Sequence, residues 1–187
     1  MSSIQKIRFS ELSRADSQNY LDLFIYNEYK DSFPATDWWG SDEANYYLWL
    51  VDITDLSNEI PIGFIGFNLY TLPKEEFIYI VKFYVLNDYR KYYNETERKL
   101  IDGKKVSSLL FDKIKSKRKD IITLTPANNA LERYYQKEYG FTYNYKVCNQ
   151  LASNISVNCD RILYLDLAKE IRNLKNEDTL TSLFGQI

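Results

Sequence analysis

The period of apolar positions changes several times along the chain. Residues 4–9, IQKIRF, alternate apolar and polar side chains, the rhythm of a strand with one buried face. Tyr20, Leu23, Phe24 and the Asn27-Glu28 pair then recur at helical spacing. Ser13 or Asp16 can cap this helix, which runs to about residue 30 and ends before Pro34. YYLWLVDI at 46–53 is nearly continuous in apolar character and suits a buried strand, and DLSNE reads as a turn. IPIGFIGFNLYTL and FIYIVKFYVL, joined by LPKEE, read as two long strands of an antiparallel hairpin. A polar stretch, NDYRKYYNETERKLIDGKK, separates them from a segment with Val106, Leu109, Leu110 and Ile114 on one helical face. DIITLTPA is a strand closed by proline. In NNALERYYQKEYG a helix places Leu131, Tyr134 or Tyr135, and Tyr139 on one side, with Gly140 as its stop. FTYNYKV (141–147) and DRILYLDL (160–167) read as strands, with Cys148 and Cys159 flanking a polar loop, NQLASNISVN. A charged amphipathic tail follows from Ala168.

The order strand, helix, strands, helix, strand, helix, strands predicts an α/β fold, a mixed and mostly antiparallel sheet flanked by helices. Its length of 187 residues fits one domain, 1–187, with a core at 4–167 and the tail at 168–187.

Composition narrows the function classes. Hydrophobic residues make up 45% and charged residues 27%, a globular balance. The net charge of -2 argues against nonspecific nucleic-acid binding, which needs an excess of Lys and Arg. The basic run KIKSKRKD at 113–120 reads as a solvated helix end. MSSIQKIRFSEL has no apolar signal core, and no apolar run reaches membrane length, so a cytoplasmic protein with no membrane partner is expected. Two cysteines make no disulfide framework in a chain this long. The absence of histidine has the largest consequence. It removes histidine triads, Cys-His pairs and nearly all catalytic zinc sites, so no metal is expected. Acid-base chemistry falls to Asp, Glu, Tyr, Lys, Cys or water.

Two segments in the second half resemble the GCN5-related N-acetyltransferase family. FYVLNDYR at 83–90, followed after an interruption by GKKVSSLLFDKI, is similar to the family's strand ending in V-x-P-x-Y-R, its glycine-rich turn and its helix. ITLTPANNALERYYQKEYGF resembles the family's strand, N-x-x-A-x-x-x-Y motif and short helix ending in Gly-Phe. The hairpin before them occupies the place of the central strands. The resemblance implies acetyl-coenzyme A as cofactor and transfer of an acetyl group to an amine, on a small molecule or a protein. It implies cofactor contacts from Val85, Arg90, Gly103, Lys104, Lys105, Val106, Ser107 and Asn128, and a proton donor at Tyr135. The separation of Asn128 and Tyr135 matches the motif, while Tyr134 competes for the role. Lys99 is a candidate for a 3′-phosphate contact. Trp38 and Trp39, among Asp31, Asp37, Asp42 and Glu43, lie where the family builds its acceptor pocket. They suit a cationic amine, or they pack over the sheet edge in a loop solvated by its acids.

The sequence departs from the family in three places. Arg90 is followed by KYYNET, without glycine, and residues 91–102 intervene before Gly103. Glycine matters there because backbone must approach phosphate closely. The strand at 77–86 contains no carboxylate; Glu75, Glu76 and Asp88 flank it, and Lys82 lies in its middle, expected to face solvent or pair with an acid. These departures favour the alternative, an inactive binding or inhibitor protein of this fold, of phage or mobile-element origin. Aromatic strand residues could support a homodimer.

Overall fold

The structure, a computed structural model, describes residues 5–29, 44–72, 76–90, 99–117, 119–155 and 161–167. The elements run β1 (Ile7–Ser13), α1 (Gln18–Tyr29), β2 (Tyr46–Asp52), β3 (Ile60–Thr71), β4 (Glu76–Val85), a 3-10 turn (Asn87–Tyr89), α2 (Val106–Lys115), β5 (Ile121–Leu124), α3 (Asn129–Tyr139), α4 (Tyr145–Ile155) and β6 (Leu163–Asp166). The six strands form one mixed sheet in sequence order, and β1–β2, β2–β3 and β5–β6 pair antiparallel. The fold class expected from the pattern is the one found. The 168–187 tail, Cys159 and the LPKEE turn at 73–75 fall outside the described residues. Among the described residues no helix is long and apolar enough to cross a membrane.

The chain packs as two compact units, Met1–Asn68 with Ile80–Lys117, and Leu69–Tyr79 with Arg118–Ile187. In the first, α1 lays Phe24 against Trp49 and Phe64, with ring centroids of Phe24 and Phe64 5.2 Å apart. Trp49 is fully buried, and its indole N–H donates to the buried Ser17 Oγ at 3.1 Å, so the aromatic layer holds no orphan donor. On the other face, Gly63 lets α2 approach: a Cβ there would meet Val106 Cγ1 at 2.9 Å and Leu110 Cδ1 at 3.1 Å. α2 buries Val106, Leu110, Phe111 and Ile114. Phe111 thus takes the inward position expected of Leu109, which is half-buried. Each such side chain contributes about 1.5–3 kcal/mol, so packing rather than propensity fixes α2. Lys82 excludes one of its two expected placements. It does not face solvent: it is 5% exposed, its stem beside Gly66, where a Cβ would sit 3.5 Å from Lys82 Cβ.

In the second unit, Phe77, Ile121, Cys148, Leu151, Ala152, Ile155 and Ile162 share one cluster. The polar loop expected around NQLASNISVN is helical through Ile155, as α4, and the strand expected at 141–147 is reduced to a single bridge from Thr142 to Tyr164. Cys148, Leu151, Ala152 and Ile155 repeat at helical spacing and are buried. Asn144 starts the helix, its Oδ1 accepting the Lys146 N–H at 3.0 Å. Tyr143 before the helix and Tyr145 and Val147 in its first turn have strand propensity, and burial of the 148/151/152/155 stripe outweighs it.

Candidate functional site

In the first unit the chain leaves β4 at the buried Val85 and turns through Asn87–Tyr89 to Arg90. Arg90 pairs with the Glu28 carboxylate of α1, whose other oxygen accepts the Asn87 N–H at 2.8 Å. The Glu28 side chain is 7% exposed, so this is a largely desolvated acid holding both ends of the turn. Sequence reading used Glu28 only as a helical position and missed this partnership.

Lys99 meets the same turn: its N–H donates to Asp88 O at 2.9 Å and its Nζ to Asp88 Oδ2 at 2.8 Å. Asp88 pushes the Lys99 ammonium above its ordinary value. Next to it, Gln5 Nε2 donates to the Tyr89 hydroxyl at 2.8 Å and to Asp52 Oδ2 at 2.7 Å. Burial alone would raise the Asp52 carboxyl. Donors from Thr54 and Gln5, with the charge of Lys99, outweigh that and lower it. Burial pushes the Tyr89 phenol up.

The approach to α2 follows. Ile101 and Lys104 exchange both backbone hydrogen bonds, at 2.8 and 3.0 Å, around Asp102 (φ 47°) and Gly103 (φ 74°). Positive φ at both central residues is the Asp-Gly signature of a type I′ turn. Lys105 then enters the helix at φ −69°, ψ 138°, with no side chain capping the first turn and no acid within it. The first N–H groups of a helix point outward and carry a partial positive charge, so this terminus is electrostatically suited to an anion. Gly103, Lys104, Lys105, Val106 and Ser107 are thus brought together in one stretch, whereas Arg90 is engaged by Glu28.

In the second unit β5 ends at Leu124, and Asn128 caps α3 in extended conformation (φ −157°, ψ 170°). Its Oδ1 accepts the Leu131 N–H at 2.9 Å. The cap uses the amide oxygen, leaving donation to the side-chain NH2. An asparagine followed by Asn-Ala-Leu-Glu is a start signal visible in sequence, and the sequence reading took it only as a ligand clamp. α3 stops at Gly140 in the left-handed region (φ 74°), where Gly140 N–H donates to Gln136 O, the bond of a left-handed C-terminal closure, and Phe141 N–H donates to Tyr135 O. Tyr135 is 8% exposed. Its ring centroid lies 5.8 Å from Tyr134, 6.4 Å from Tyr139 and 6.0 Å from Phe141. The Tyr134 and Tyr139 hydroxyls are 3.1 Å apart.

Trp38 and Trp39, with Asp31, Asp37, Asp42, Glu43 and Glu75, lie outside the described residues. Of the acids flanking β4, Glu76 pairs with Lys119 and Asp88 with Lys99.

No protein-family model matches the chain, and no curated protein matches it. Among solved structures it is similar to an acetyltransferase of the GNAT (GCN5-related N-acetyltransferase) family from Staphylococcus aureus Mu50, at 19% identity and a TM-score of 0.49 over 87% of this chain and 99% of that one. A putative acetyltransferase from Exiguobacterium sp. 255-15 aligns at 13% identity and 0.48 over 90% of this chain and 98% of that one. A GCN5-related glucosamine N-acetyltransferase region of a fungal multi-domain GH3 β-N-acetylglucosaminidase aligns at 15% identity and 0.47, over 75% of this chain and 17% of that much longer one. At these identities and scores, functional assignment rests on the chain's own residues.

Proposed function

We propose that this chain is an acetyl-coenzyme A dependent N-acetyltransferase. The observation that carries the reading is the start of α2, an acid-free helix N-terminus with no side-chain cap, entered through an Asp-Gly turn and flanked by Lys104 and Lys105. That combination is suited to pyrophosphate, with Val106 and Ser107 amides as donors and the two ammonium groups as counter-charges. Gly103 lets the chain turn sharply before the phosphates, and Val85 flanks the acyl arm. Arg90, bound to Glu28, braces the turn. On α3 the Asn128 NH2 donates to the pantetheine arm, and Tyr135 is the proton donor. The amine nitrogen attacks the thioester carbonyl carbon, the C–S bond breaks, and the thiolate takes the Tyr135 hydroxyl proton. The amine's surplus proton leaves to water, and water returns a proton to the Tyr135 phenolate. Trp38 and Trp39 serve a cationic amine in this reading.

Titration calorimetry with acetyl-coenzyme A tests the core: saturable heat is expected, and no heat at millimolar cofactor overturns the proposal. Tyr135→Phe should lower kcat about 100-fold while changing the acetyl-coenzyme A KM less than threefold. A second reading, a binding protein that has kept the fold, is favoured by the engagement of Arg90 with Glu28. It predicts that acetyl-coenzyme A produces neither heat nor free thiol.

A further inference from the structure

The tyrosines on α3 sit at 134, 135 and 139, and their arrangement goes beyond packing. Residues five apart do not face each other on a helix, yet the Tyr134 and Tyr139 hydroxyls meet at 3.1 Å, with ring centroids 5.6 Å apart and planes at 82°. The contact is part-buried and reaches around the last turn, which Gly140 closes. Tyr135 touches both rings of this pair and, through its third edge, Phe141. Fixing two rotatable phenols through one hydroxyl contact is a poor exchange for stability alone, because a net hydrogen bond contributes only about 1 kcal/mol against the side-chain freedom lost. Its geometric effect is specific: it locks the two rings to each other and so fixes the aromatic wall against which the Tyr135 ring packs. A proton donor works only within hydrogen-bond reach of its acceptor, and a displacement of about 1 Å can cost orders of magnitude in rate.

We propose that the Tyr134–Tyr139 hydroxyl pair is a positioning device for Tyr135, holding its ring in the orientation from which it donates its proton. The inference rests on the acetyltransferase reading for its consequence, and on α3 alone for its mechanism. Tyr134 and Tyr139 are positioning residues and do not themselves touch the reacting atoms.

The decisive variant is Tyr139→Phe, which keeps every ring and deletes one hydroxyl; Tyr134→Phe is its counterpart. Ring-flip exchange of Tyr135, followed by NMR on specifically labelled protein, should accelerate at least about fivefold in both variants. Unchanged flipping overturns the positioning role whatever the protein catalyses. Free-thiol release from acetyl-coenzyme A with ethylamine, glucosamine and a lysine-containing peptide as acceptors gives the second readout. Tyr139→Phe should lower kcat about tenfold with the acetyl-coenzyme A KM within twofold, and should add nothing in a Tyr135→Phe background, the coupling expected of groups acting through one another. Equal losses in both backgrounds overturn the proposal. Accelerated flipping in the variants, alongside a wild-type protein that releases no thiol, overturns the acetyltransferase reading and leaves the ring lock standing as a device for something else.

Discussion

Helices α2 and α3, one in each compact unit, begin in opposite ways. α3 is capped by the Asn128 side chain and has Glu132 in its first turn, so its terminal N–H groups and dipole are answered from within. α2 follows Lys105, with no side-chain cap and no acid in its first turn. Capping and N-terminal acids each stabilise a helix, typically by about 1 kcal/mol or less. A start that forgoes both, beside two lysines, gives up that local stability and keeps a positive end suited to an anion. The proposed function gives the phosphate end of the cofactor to α2 for this reason, and gives α3 the roles of Asn128 and Tyr135.

The sharpest way to break that contrast is to give α2 what α3 already has. Ser107→Glu places a carboxylate at the open terminus, where it should leave melting unchanged or slightly higher. Set against a pyrophosphate, a like charge costs several kcal/mol, so acetyl-coenzyme A affinity by calorimetry should fall roughly 100-fold. Unchanged affinity would remove α2 as the phosphate site.

Asn128 permits the reverse dissection. Asn128→Ala should lose about 1 kcal/mol of stability in urea unfolding because the Leu131 N–H loses its acceptor. Asn128→Asp keeps that acceptor and should restore stability, while removing the NH2 donor and weakening acetyl-coenzyme A binding roughly fivefold. If both variants bind cofactor as wild type does, Asn128 is a cap and nothing more.

Gly103→Ala should cost roughly 1 kcal/mol, from left-handed backbone alone. Its φ is 74° and a new Cβ would meet nothing within 4 Å. The smallest effect expected is in the Asp52 network. Because the folded carboxyl titrates below its ordinary 3.8, its contribution is fully present above that pH and disappears as pH falls through the folded value. Asp52→Asn should flatten the acid side of the stability profile by less than about 1 kcal/mol, measured by thermal melts at stepped pH, since the group is only half-buried and solvent screens it.

What could be read from the sequence tracks how local the cause is. The long strands, the α2 stripe and the Gly140 stop are governed by neighbours a few residues away, and their side-chain spacing announces them. α4 was also announced, by Asn144 and the 148/151/152/155 spacing, but the tyrosine-rich stretch before it imitates a strand. The burial of Lys82 and the embrace of Arg90 by Glu28 depend on residues far along the chain, 62 positions apart for Arg90 and Glu28, and no periodicity records them. Asn128 sits between these cases. Position and residue type were legible, but whether its oxygen or its nitrogen was committed to the helix required geometry.

The double contact between Asp88 and Lys99, backbone and side chain together, joins the chain on either side of residues 91–98. Once such a base is closed, doubling the length of a flexible intervening segment adds only about 0.6 kcal/mol of closure entropy. The same junction that separates Arg90 from its glycine turn is therefore a place where this chain can accept an inserted peptide or a reporter tag while the α2 start stays in register.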